Sequence, residues 1–161
     1  MSIAQNLAEV REKIKTAAGR TGRSVSEVAI MAVTKTHPAE RIREAHAAGQ
    51  RLFGENRVQE FAAKAESLQD LQDAEWHMIG HLQTNKAAKA TELFCAVDSV
   101  DSLKLAEKLD VSARQLGKKL EVLIEINVGV NPRKADFLLI RANSTNYCRP
   151  HRGSSHWCSA A

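Results

Sequence analysis

Cysteine is scarce in this 161-residue chain, with three residues at positions 95, 148 and 158. An odd number at uneven spacing excludes a disulfide framework of the kind that staples small secreted domains. No apolar run approaches the roughly 18–20 residues that a membrane helix needs. The stretch from Met1 to Glu9 lacks the basic-then-apolar order of a signal peptide, so a cytoplasmic location is expected. There is no Gly-x-x-x-x-Gly-Lys phosphate loop, no Gly-x-Gly-x-x-Gly fingerprint and no zincin motif. Cys148-x-x-His151 and His156-x-Cys158 carry metal-capable side chains. Their order and spacing match no standard finger, and no metal site is assigned to them.

What is present is ordinary in bulk and uneven in distribution. A hydrophobic share of 43% and a charged share of 26% suit one soluble globular domain with a real core. The formal charge of +4 invites a nucleic-acid reading. Residues 1–129, however, hold 18 basic and 18 acidic side chains, while 130–161 hold 5 and 1. The whole excess belongs to one terminal segment, so no basic face is built into the folded part. From Leu138 to Ala161 there is no acidic residue, no lysine and no periodicity. That composition predicts an irregular basic tail over 138–161, behind a domain over 1–137.

Hydrophobic spacing lays out the domain. Ile3, Leu7, Val10 and Ile14 predict a helix over 3–18, closed by Gly19 and Gly22. The apolar run 28–34 predicts a buried strand. Pro38 opens a helix with Ile42, Ala45 and Ala48 on one face and Gly49 at its end. Strands are expected at 51–54, 75–79, 93–97 and 120–128. Helices are expected at 58–68, 86–91 and up to Leu116, the last capped by Asp101 or Ser99 with Leu103, Ala106 and Leu109 inward. Regular alternation of strand and helix means a parallel α/β sheet. Five strands do not close an eight-stranded barrel, and periodicity does not choose between a small open sheet and an unfinished barrel.

The strand ends draw the eye to chemistry. Lys35 stands where the first strand gives way to a loop, the rim on which parallel α/β folds build their sites. A partly desolvated lysine there would favour its neutral, nucleophilic form and could attack an aldehyde to make a Schiff base; the alternative is a lysine that snorkels off the strand end into water. Gly54-Glu55-Asn56, Gly80-His81, Asp98-Ser99 and Asn127-Val128-Gly129 follow the other strands. Together they would line one polar pocket on the same rim. Glycines let a ligand approach the backbone closely, while Asn56, His77, His81 and Asn127 can hold polar ligand atoms. His77, alternating with Trp76 and Met78, also suits a satisfied core histidine.

Taken in order, four blocks resemble the pyridoxal phosphate homeostasis protein family. They are Ala32-Val33-Thr34-Lys35-Thr36 with Pro38; Phe53-Gly54-Glu55-Asn56 with Val58-Gln59-Glu60; Trp76 through Lys86; and Val97 through Ser102. The resemblance covers roughly 1–129 and, more loosely, Lys134 to Phe137. It implies a barrel like that of alanine racemase, preceded by an added helix. Here that would be an incomplete (β/α) TIM-type barrel of about five parallel strands, followed by the irregular tail. By resemblance Lys35 forms the Schiff base with pyridoxal 5′-phosphate, and Asn56, His77, Gly80, His81 and Ser99 lie around the cofactor. The resemblance further implies a non-catalytic protein that buffers the cofactor and delivers it to apoenzymes that depend on it. It implies a monomer, with neither nucleic acid nor membrane as partner. The family grips the cofactor phosphate with three further strands, and without them binding would weaken by orders of magnitude. The alternative is a pyridoxal-dependent racemase or lyase, which needs a second acid/base opposite the lysine.

Overall fold

The structure, a computed structural model, describes residues 1–127 and 137–141. Helix α1 (Ile3–Arg20) is followed by strand β1 (Met31–Val33), α2 (Ala39–Ala47), β2 (Leu52–Glu55), α3 (Val58–Ala65), β3 (Glu75–Met78), α4 (Ala87–Leu93), β4 (Ala96–Val100), α5 (Leu103–Gln115), β5 (Glu121–Asn127) and β6 (Phe137–Arg141). The sheet order is β1-β2-β3-β4-β5-β6, with the first four pairings parallel. Strands in sequential order, joined by right-handed crossovers, place every crossover helix on one face. The helices touch in turn, α1 on α2, α3 on α4 and α4 on α5. A doubly wound sheet would reverse its strand order and carry helices on both faces. The chain therefore builds the wall of a (β/α) barrel, and among the described residues the sheet does not close on itself.

The core lies between sheet and helices. Alternation along β2 and β3 sends Phe53, Trp76 and Met78 to the helix side, all fully buried. Phe53 stacks on Trp76 at 4.9 Å, and Phe61 of α3 reaches both Trp76 (4.7 Å) and Phe94 (5.0 Å). Such ring pairs add to plain area burial and hold α3 against the sheet. The other face is concave and uncovered. Met31, Leu52, Glu75, His77, Ala96 and Asp98 line a cavity of about 330 Å³ on it. Gly54 belongs to that face, where a Cβ would stand 2.8 Å from Met31 Sδ. The glycine leaves room for the Met31 side chain to lie over β2.

Several sequence expectations shift. The fourth strand runs over 96–100 rather than 93–97, because Ala87, Ala90 and Leu93 bury a helical stripe that extends α4 to Leu93. Asp98 and Ser99 are thus strand residues, and Ser102 caps α5 by accepting from Leu105 N. The inward face of α5 is Leu105, Leu109, Ser112 and Ala113, while Leu103 is exposed. Leu103 is the first helical residue, where the chain has not yet turned onto the core. The face of α1 is only half-buried, with Ala18 alone fully so. Arg11 instead ties α1 to α2 by donating to the carbonyls of Ala48 and Gly49 at 3.0 Å each.

The irregular tail expected from 138 does not begin there. Phe137–Arg141 form β6, antiparallel to β5, with Leu123 opposite Arg141 and Asn127 opposite Phe137. The apolar run Phe137-Leu138-Leu139-Ile140 supplies strand character that an argument from charge overlooked. Residues 142–161, and with them Cys148, His151, His156 and Cys158, lie outside the described residues.

Candidate functional site

The carboxyl ends of β1 to β4 form the rim that the sequence singled out. Lys35 follows β1 in a tight turn and is exposed. Of the two readings of this lysine, partly desolvated or reaching into water, the structure has the second. Its amine has no hydrogen bond or ion pair among the described residues. The next residue, Thr36, has φ of 63°, a left-handed conformation that is unusual for a β-branched side chain and costs about 1–2 kcal/mol. The surroundings must hold that turn.

They do so through a cluster that sequence reasoning missed. Thr34 N donates to Gly54 O at 2.9 Å, continuing the sheet, and His37 N closes the turn on Thr34 O at 3.1 Å. Glu55, fully buried at the end of β2, accepts from Thr34 Oγ1 at 2.5 Å. Lys64 of α3 pairs with the same Glu55 oxygen at 2.7 Å and donates to the carbonyls of Thr34 and His37 at 3.1 Å each. The signal was in the spacing. Glu55 lies two residues after the core residue Phe53, and Lys64 lies three after the core residue Phe61, so both face the core.

Asn56, Gly80 and Ser99 come together at the ends of β2, β3 and β4. A Cβ on Gly80 would stand 2.8 Å from Asn56 Cα and 2.8 Å from its Cβ. Only glycine lets the two backbones touch there. Ser99, buried, donates to Gly80 O at 2.6 Å. His81 sits beside this contact, largely exposed, with Nδ1 3.0 Å from Asp101 Oδ2. His77 is elsewhere. It is a mid-strand residue, in register with Gly54 and Ala96, and points to the concave cavity. Its Nδ1 lies 2.9 Å from Asp98 Oδ2, and a carboxylate acceptor there orients the ring with a proton on Nδ1. The cavity below the rim thus includes His77 and not Lys35, Asn56, Gly80, His81 or Ser99. The side chain of Asn127 lies outside the described residues.

The resolved pKa shifts in the folded domain lie on the helix side and at the opposite end of the strands. Burial raises the Asp73 carboxyl, but hydrogen bonding and charge from His46 and Arg51 outweigh it, so Asp73 lies below its ordinary range. The Arg43 guanidinium does the same for Asp70, helped by His46. Among the described residues no group of three or more potential ligands gathers to hold a metal ion, and no helix is long and apolar enough to cross a membrane.

Comparison with known proteins agrees with this architecture. The model of the family "Alanine racemase, N-terminal domain" matches residues 5–135. The pyridoxal phosphate homeostasis protein of Escherichia coli is 45% identical over 139 residues, covering 85% of this chain and 59% of that protein. PipY of Synechococcus elongatus, solved with PLP bound, superposes with a TM-score of 0.66 at 46% identity, covering 81% of this chain and 56% of that one. A structure from Bifidobacterium adolescentis superposes at 0.75 with 34% identity, covering 83% and 58%. The chain spans less than two thirds of the length of each. A single-layered parallel wall with its lysine on the first strand's rim, matched over most of its length, establishes that this chain belongs to the alanine racemase N-terminal domain family.

Proposed function

We propose that this chain binds pyridoxal 5′-phosphate on Lys35 and takes part in the intracellular homeostasis of that cofactor, without turnover of its own. One observation carries the reading. The Lys35 amine is exposed and unpartnered among the described residues, at the carboxyl end of the first parallel strand. The residues present fit the aldehyde end of the cofactor. Bound, the cofactor supplies an aldehyde carbon that an amine can attack with loss of water, a reversible linkage.

Lys35 supplies that amine. Gly80 lets the end of β3 pack directly against Asn56 and so fixes the rim beside Lys35's strand. Ser99 holds the Gly80 carbonyl, and His81 offers a polar edge beside it. His77, oriented by Asp98, lies deeper on the concave face. A reversible link suits a carrier that passes its cofactor on to apoenzymes that need it. The similarity to PipY with PLP bound and to pyridoxal phosphate homeostasis proteins supports the same reading.

The test is direct. Incubation with pyridoxal phosphate is expected to give the visible absorbance of a lysine-bound cofactor, and Lys35→Ala to abolish it. No cofactor absorbance in well-folded protein would refute binding. Racemisation or lyase turnover above background would replace the carrier with an enzyme.

A further inference from the structure

We propose that Lys64 and Glu55 act as a positioning pair that sets the turn carrying Lys35 and keeps Lys64 itself out of the chemistry. This rests on the reading of Lys35 as the cofactor lysine. An ammonium has three donors and no acceptor. Lys64 Nζ has three acceptors within reach, namely Thr34 O, His37 O and Glu55 Oε1. Its hydrogen-bonding capacity is committed, and its side chain is 13% exposed. Lys35 is the opposite case, exposed and unpartnered among the described residues. Two lysines meet at one rim, and the hydrogen bonds decide which amine is available to a carbonyl.

The two carbonyls that Lys64 grips flank Lys35 and Thr36. Thr36 is held at φ 63°, against its own preference. A turn that local sequence disfavours keeps its shape only where neighbours over-determine it, and Lys64 bridges both of its ends. Glu55 secures Lys64 and also receives the Thr34 hydroxyl. The pair is a poor device for stability alone. Its carboxylate is fully buried while the ammonium is partly so, and Glu55 Oε2 has no hydrogen-bond partner among the described residues. An ion pair with a buried carboxylate and an orphan oxygen is more simply explained by the geometry it enforces.

The experiment is trapping with pyridoxal phosphate and borohydride, followed by mass mapping of modified lysines, with exposed Lys104 as internal reference. The wild-type chain is expected to label at Lys35 well ahead of Lys104, and Lys64 to label least. In Glu55→Gln/Lys64→Met, which strands no charge, the Lys35:Lys104 ratio is expected to fall about tenfold while Lys104 itself is unchanged, as misplacement of a reacting group predicts. Lys64→Arg, which keeps the charge and the donors, is expected to restore most of the ratio. An unchanged ratio in the folded double variant would overturn the positioning role and leave the Lys35 reading standing. No preference for Lys35 in the wild type would overturn both. Labelling of Lys64 in the native wild type at the rate of Lys104 would overturn the proposal without recourse to a variant.

Discussion

Gly80→Ala is expected to destabilise the domain, whereas Gly19→Ala stabilises it. The added methyl at Gly80 would sit 2.8 Å from both Cα and Cβ of Asn56, well inside van der Waals contact. The nearest obstacles include backbone, so no rotamer change relieves them and the ends of β2 and β3 must part. Overpacking of this kind costs about 2 kcal/mol. For a domain of this size each kcal/mol moves the midpoint by roughly 2–4 °C, so a fall of about 4–8 °C is expected. Gly19 lies in α1 with nothing within 4 Å of its would-be Cβ. There the methyl removes only the entropic penalty of glycine, about 0.5–1 kcal/mol, and the midpoint should rise. Thermal unfolding followed by circular dichroism reads both variants in one experiment. A Gly80→Ala midpoint at or above wild type would refute the backbone contact on which the description of the rim depends.

Two further outcomes test the packing and the electrostatics. Leu105→Ala should cost about 2–5 kcal/mol as a fully buried leucine, while Leu103→Ala, at 76% exposure, should be nearly silent in urea unfolding; equal costs would mean that α5 is rotated from the orientation described. Asp73 has its native carboxyl below the ordinary value of about 3.8, so as pH falls the unfolded chain binds its proton first. Its contribution is therefore complete above that value and lost as pH falls through the lower native one. Asp73→Asn should destabilise at neutral pH, and the gap in midpoint should close below about pH 3.8; a gap independent of pH would rule out the pairing with His46 and Arg51 as its source.

Much of the site could be read from residue order because the rim motifs are local. Gly54-Glu55-Asn56 and Gly80-His81 each follow a strand, and a strand end is visible in hydrophobic pattern alone. Lys35 was found this way, at the point where an apolar run meets Pro38. Its exposure stayed open between two readings, since a lysine's solvent contact depends on what folding sets beside it. His77 shows the limit of proximity in sequence. Four residues from His81, it lies mid-strand against Asp98 and borders the concave cavity, which His81 does not line. The β4 boundary moved by three residues because Leu93, apolar either way, could end a helix or begin a strand.

The sequence by itself determined the alternation of helix and strand, the parallel sheet and the lysine at its rim. Each is written in short-range spacing and in the β-branched and glycine residues that bound it. Only the tertiary structure decided that the helices share one face, since strand order depends on contacts far apart along the chain. It also decided which lysine is available. Lys35 and Lys64 are 29 positions apart, and nothing in either segment separates a committed ammonium from a free one. The distinction arises where α3 brings Lys64 against Glu55 and the two carbonyls beside Lys35. A hydrogen-bond donor is spent or spare only by virtue of what folding sets next to it.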